Sequence, residues 1–217
     1  GIRLGHEDLN PAKVYCTSAD KEEMIEALLK AVYGEEIDYE ISPDDIYVGH
    51  GTHVSGIIAA ELNNGKGGAG IAPGVDLLSC NVFMGDLGAS TDDIIEGIVW
   101  AQENGADIIN MSLGGIVYNG VFAKAVKNAY DNGVAVFCAA GNDSTATYQY
   151  PASYPGAISI AALDRGLQKS SFSCYGDKIR YAFPGVDIYS TANATYDWET
   201  DITTITTDAY TKMSGTS

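Results

Sequence analysis

Three short stretches of this sequence hold residue types that can carry out acyl-transfer chemistry. The first, Gly49-His50-Gly51-Thr52-His53-Val54-Ser55-Gly56, sets a histidine between two glycines. An imidazole titrates near neutrality, as a general base must, and flanking glycines let a substrate come close to the backbone. His50 could also cap a helix or pack in a core, and His50 with His53, three residues on, could form a zinc pair. The spacing is not that of an HExxH site, however, and no third ligand stands nearby. The second stretch, Ala139-Ala140-Gly141-Asn142, closes an apolar run. An Asn amide at a strand terminus is a fixed donor suited to an oxyanion, although Gly-Asn is also ordinary turn chemistry. The third, Ser214-Gly215-Thr216-Ser217, offers hydroxyls in a small-residue turn. A nucleophilic serine needs such an exposed turn, preferably at a helix start.

These stretches need elements to hold them. A helix is predicted from near His50, burying Val54, Ile57 and Ile58. Ser90-Thr91-Asp92-Asp93 starts another, with Ile94, Ile95, Ile98 and Val99 inward and Gly105 at its end. A further helix runs from about Gly120 to Asn132, closed by Gly133. Residues 20–33 read as an amphipathic acidic helix, with Asp20 and Glu23 as a capping box and Met24, Leu28 and Val32 on one stripe. Apolar runs of strand length lie at 75–83, 106–113, 134–140 and 157–163. Strands alternating with helices imply an α/β fold: three layers, with a mainly parallel β-sheet flanked by helices on both faces. Beyond Asp164 the pattern loosens into Ser/Thr-rich, turn-rich sequence. In open parallel sheets, ligands gather at the carboxyl ends of strands, where Ser112-Leu113-Gly114 and Ala139-Ala140-Gly141-Asn142 fall.

Composition narrows the function. The 217 residues are 46% hydrophobic with 25 glycines, which suits one turn-rich domain. Twelve basic against 29 acidic residues give a net charge of −17, which excludes a phosphate backbone as partner. Ten of the acids fall in residues 20–45, read as a solvated acidic face. No run of 18 apolar residues is present, so no stretch reads as a membrane-spanning helix. Of the four cysteines, Cys80 and Cys138 sit in apolar runs and read as core thiols, while one bridge involving Cys16 or Cys174 stays open.

Taken together and in order, GHGTHVSG, INMSLGG, AAGN, YPASYPGAISIAA and MSGTS closely resemble the signature blocks of the subtilisin-like serine proteases, the subtilases. The resemblance spans roughly residues 1–8 and 46–217. It implies a serine-type endopeptidase that cuts peptide bonds with an Asp–His–Ser triad. His50 would be the base, Ser217 the nucleophile and Asn142 the oxyanion donor. Ser112, Leu113 and Gly114 would pair with an extended substrate. Ala139, Ala140 and Gly141 would line the primary specificity pocket, with Gln149 near its floor and His53 structural. Small walls and no acid at the floor suggest apolar or broad selection.

The resemblance also implies what is not in the sequence. The triad Asp is expected two residues before Gly1, and the chain reads as one domain over 1–217 cut at both ends, with an acidic insertion at 10–45. No cofactor is implied for catalysis. The glycine-rich stretch 62–73 resembles the family's calcium loop, with Asp8, Leu62, Asn64, Lys66 and Gly68 as ligands; a plain surface turn is the alternative. Peptide or protein substrates, a propeptide and a monomeric, secreted or cell-surface protein complete the expectation, with intracellular members of the family leaving the compartment open. A catalytically inactive peptide-binding module is the competing reading.

Overall fold

The computed structural model describes residues 1–3, 5–16, 49–83, 88–197 and 202–217. The predicted acidic helix at 20–33 therefore lies outside the described residues. Two compact units emerge: Gly1–Asp93 with Ser190–Thr211, and Ile94–Tyr189 with Lys212–Ser217.

The second unit is built on four parallel strands in the order β3-β4-β5-β6: β3 (Ile108–Met111), β4 (Ala135–Ala139), β5 (Ala157–Leu163) and β6 (Tyr181–Pro184). Helix α2 (Thr91–Glu103) starts in the first unit and continues into the second; α3 (Gly120–Asp131) joins β3 to β4. Asn119 caps α3, accepting from the Val121 and Phe122 N–H groups at 2.9 and 3.0 Å, and thereby satisfies donors the first turn leaves free. Phe122, Ala123, Val126 and Ala129 form its buried face, the spacing of an amphipathic helix. They pack with Ile98, Met111, Val136 and Tyr154 into one apolar core. In that core, burial pushes the Cys138 thiol up to about 12, so it packs as a hydrophobe rather than reacting. Cys174 is likewise a buried free thiol and takes part in no bridge.

The first unit is held differently. β1 (Lys13–Cys16) pairs in parallel with β2 (Leu78–Asn81). Helix α1 (Gly49–Ala59) carries the first histidine motif, and β7 (Ile188–Asp197) is hydrogen-bonded to β8 (Ile202–Met213). The buried side of α1 is Thr52, His53, Ser55 and Gly56, whereas Val54, Ile57 and Ile58 are only half-buried. This corrects the predicted inward stripe. The Ser190 and Thr191 hydroxyls each donate at 2.7 Å to the carbonyls of His53 and Thr52, so small and polar residues must face β7. Val99 of α2 is also corrected: it is 43% exposed, while Ile98 is buried.

Sequence periodicity finds the apolar strands β2 to β5 and helices α1 to α3. It misses the four-residue β1, and also β6 to β8, whose Thr, Tyr and Ala residues lack the large apolar alternation that marks a half-buried strand.

Candidate active site

His50 lies in the first turn of α1, in the first unit, with its side chain exposed. The following residue explains the local sequence: a Cβ at Gly51 would lie 1.8 Å from the Gly1 carbonyl oxygen, so only glycine lets this helix start meet the N-terminal backbone. Thr52 fixes the same turn, its hydroxyl accepting from the Arg3 N–H at 2.7 Å. Partial loss of hydration lowers the His50 pKa below the ordinary histidine range, and the charge of His53 pushes it the same way. His53 is buried, with Nε2 3.3 Å from the Thr211 carbonyl oxygen. Its ring thus faces the protein interior, and no cluster of three or more acidic, His or Cys side chains lies among the described residues. The zinc-pair reading of His50 and His53 gains nothing from this arrangement.

The second unit brings Asn142, Ser217 and Ser112 together. Asn142 follows β4 directly. Its Oδ1 accepts from both the Thr216 N–H, at 3.0 Å, and the Thr216 hydroxyl, at 3.1 Å. The Thr216 hydroxyl in turn accepts from the Gly141 N–H at 3.1 Å. With its oxygen committed to Thr216, exposed Asn142 keeps its Nδ2 donor beside the loop that carries Ser217, 3.5 Å from where a Cβ on Gly215 would stand. The Gly215 N–H donates to the Gly185 carbonyl at 2.9 Å and Ser214 Oγ accepts from Asp187 N–H at 3.0 Å, which anchors the rest of that loop. Ser112 Oγ accepts from Asn110 at 2.8 Å and donates to the Ser217 carbonyl oxygen at 3.1 Å.

Beyond Ser112, Leu113 is half-buried and Gly114 exposed. Gly115 exchanges two backbone hydrogen bonds with Tyr150, at 2.9 and 2.8 Å, while Gly114 has no hydrogen-bond partner among the described residues. This is an edge with backbone groups open to an added strand. Ala139 and Gly141 are half-buried and Ala140 is buried. Gly141 has φ +102°, and a Cβ there would fall 2.9 Å from Gln149 Cγ and 3.1 Å from Cys174 Sγ. Both the turn and the closeness of Gln149 require glycine.

The 62–70 loop lies in the first unit. Asp8 is fully buried; its Oδ1 accepts from the Glu61 N–H at 3.1 Å and from Asn64 Nδ2 at 2.6 Å, while Oδ2 has no partner. Asn64 thus turns its nitrogen to Asp8 and its oxygen to the Lys66 N–H at 3.0 Å. The Lys66 ammonium is drawn off to Glu7 at 2.7 Å, and that contact lowers the Glu7 pKa and raises that of Lys66. Leu62 and Gly68 are exposed loop residues.

The whole chain, residues 1–217, matches the model of the subtilase family. The chain belongs to the subtilase family. Among curated relatives, subtilisin DY of Bacillus licheniformis is 42% identical over 147 residues, which is 66% of this chain and 53% of the relative. Thermitase of Thermoactinomyces vulgaris is 40% identical over 169 residues, 78% of this chain and 56% of the relative. A protease structure from Pseudoalteromonas arctica superposes with a TM-score of 0.68 at 33% identity, over 77% of this chain and 53% of that one. A cold-adapted subtilisin-like serine proteinase, 24% identical, gives a TM-score of 0.71 over 100% of this chain and 66% of its own and supports the fold alone. The chain spans about half the length of the curated relatives it matches. The α/β fold read from the sequence is that of the subtilases.

Sequence reasoning about this subtilase chain missed Thr216. In SGTS it reads as a spacer, yet its side chain is buried and holds Asn142 by two bonds. A lone buried Thr in a short loop has no periodic signal, so nothing in the spacing marks it.

Proposed function

We propose that the protein to which this chain belongs is a serine endopeptidase, with Ser217 as nucleophile, His50 as general base and Asn142 as oxyanion donor. The observation that carries the reading is the Asn142 amide, whose oxygen is locked by Thr216 so that its nitrogen lies beside Gly215 on the loop bearing Ser217. A donor already aimed costs no reorganisation when charge develops on the substrate. The open backbone of Gly114 supports an extended peptide added at that edge, with Ser112 and Leu113 continuing it. Ala139, Ala140 and Gly141 form the wall of the pocket for the residue preceding the cut.

In this reading His50 removes the Ser217 hydroxyl proton as the oxygen attacks the scissile carbonyl. Asn142 Nδ2 and the Ser217 N–H receive the oxyanion, protonated His50 passes its proton to the leaving amine, and water repeats the sequence to release the acid. His50 needs a carboxylate to set its tautomer, and the triad Asp belongs two residues before Gly1. The contact of Gly51 with Gly1 supports this, since it puts the start of the chain against the His50 turn. Subtilases need no cofactor for this chemistry.

The Asp8 loop fits a structural calcium ion. A buried carboxylate oxygen without a partner is an acceptor waiting for a cation, and Lys66 is held away by Glu7. Asp8, Asn64 with its amide turned over, and the carbonyls of Leu62, Lys66 and Gly68 would hold it. Calcium titration of the full-length protein, read by thermal unfolding, raises the transition in wild type and leaves Asp8→Asn unmoved; an equal response in both removes the site. The proposal extends to a monomer that is secreted or displayed at the cell surface, acts on peptides or proteins and is made with a propeptide. No helix among the described residues is long and apolar enough to cross a membrane.

The test of the central reading is fluorophosphonate labelling of protein expressed from the complete gene, beside Ser217→Ala. Label on the Ser217 peptide, lost in the variant, is the expected result. Folded, propeptide-free protein that takes no label sinks the enzyme reading and leaves an inactive peptide-binding module.

A further inference from the structure

Four Asn-Gly pairs occur in the chain: Asn64-Gly65, Asn104-Gly105, Asn119-Gly120 and Asn132-Gly133. Glycine leaves the amide nitrogen after an asparagine unhindered, so each pair can close a succinimide ring if its backbone is free to bend. Three of them sit at helix ends that resist closure. The Asn104 and Asn132 side chains reach back along their helices to the Trp100 and Asn128 carbonyls, both at 2.8 Å. The N–H groups of Gly105 and Gly133 donate to the Gln102 and Tyr130 carbonyls at 3.1 and 3.0 Å. Asn119 caps α3 with its side-chain oxygen, and its own N–H is held by the Tyr154 hydroxyl at 3.0 Å, so closure there would uncap a helix.

Asn64 differs. Its Oδ1 accepts from the Lys66 N–H at 3.0 Å, which folds the side chain forward over the Gly65 peptide. Gly65 is exposed, its N–H has no hydrogen-bond partner among the described residues, and no atom lies within 4 Å of where a Cβ would stand. Bending this peptide displaces nothing. We propose that Asn64 is a site of spontaneous deamidation and that its product loosens the loop from Asp8. The Gly65 nitrogen forms a bond to Asn64 Cγ, the Cγ–Nδ2 bond breaks, and Nδ2 leaves as ammonia with the Gly65 amide proton. Water then opens the ring at either carbonyl, giving aspartate or isoaspartate. The exchange matters because Nδ2 donates at 2.6 Å to Oδ1 of the fully buried Asp8. Deamidation sets a negative acceptor where that donor stood, facing a carboxylate, and leaves the Glu61 N–H as the one donor on Asp8 Oδ1 among the described residues. The loop's own ammonium, Lys66, is engaged with Glu7 at 2.7 Å.

The experiment stores folded protein from the complete gene, carrying Ser217→Ala so that it does not cut itself, at mildly alkaline pH in chelator. Mass spectrometry follows the four Asn-Gly peptides, with a sample unfolded in urea, where all four pairs have the same freedom, as control. In the folded protein Asn64 is expected to convert about tenfold faster than any other pair, the factor that one native hydrogen bond broken first is worth. The aged protein, and freshly made Asn64→Asp, are expected to unfold about 2–10 °C below the starting material in chelator. Asn64 converting no faster than the other pairs, or only in urea, overturns the site. An aged protein that keeps its unfolding temperature after Asn64 has converted overturns the consequence for Asp8. If Asn64→Asp does not fold, the aged protein decides alone.

Discussion

The two units bury different chemistry. In the second, the core around α3 is apolar: Phe122, Val126, Val136, Met111 and Ile98 meet with almost no polar atom among them, while Gln149, Ser159, Ser170, Ser173 and Thr216 are the unit's buried polar residues. In the first, His6, Asp8, Thr52, His53, Ser55, Ser79, Ser190, Thr191 and Asn193 are all buried, and individual hydrogen bonds join them. An apolar core gains from area and tolerates exchange of similar volumes. A polar interior depends on each partner, because a group left alone pays its desolvation in full. The region carrying Asn142 and Ser217 therefore rests on a robust platform, and the region carrying His50 on a set of specific contacts.

The comparison can be broken or sharpened in four ways. Phe122→Ala should cost about 3–5 kcal/mol in denaturant unfolding, since it empties a packed site whose ring meets Tyr154 edge-on. Asn142→Ala should leave folding and KM nearly untouched and lower kcat by about 10²–10³, the loss the same kind of change produces in a subtilisin; a fall in stability instead would make Asn142 part of the platform. Thr191→Val keeps shape but removes the donor to the Thr52 carbonyl, and should cost about 1–3 kcal/mol. Thr191→Val without cost would show that the polar interior is as tolerant as the apolar one.

The smallest effect concerns pH. His50 must be neutral to act, so kcat/KM rises with pH through its pKa. Burial lowers the His50 pKa, and a carboxylate facing the imidazole raises it. Replacing the proposed triad Asp with Asn should therefore move the acid limb to lower pH, as pH–rate profiles will read.

The apolar unit was the legible one. The apolar runs at 106–113, 134–140 and 157–163 mark β3 to β5, though not β6, and the helical spacing of Phe122, Val126 and Ala129 announces the buried face of α3. The proposed site residues His50, Asn142 and Ser217 come from motifs, each weak alone and informative in their order. The polar unit was not: α1 turns Thr52 and His53 inward in place of Val54 and Ile57, because hydroxyls on β7 decide the contact and periodicity is blind to them. Thr216 was hidden for the same reason.

The bond between Asn142 and Thr216 also bears on the timing of synthesis. The two residues are 74 positions apart. At about 5–20 residues per second, a ribosome reaches Thr216 roughly 4–15 s after Asn142. Until then the amide of Asn142 is free to turn and no serine stands beside it. In the proposed reading, the locked oxyanion donor and its nucleophile therefore come into being together, long after the strand that carries Asn142 has been made.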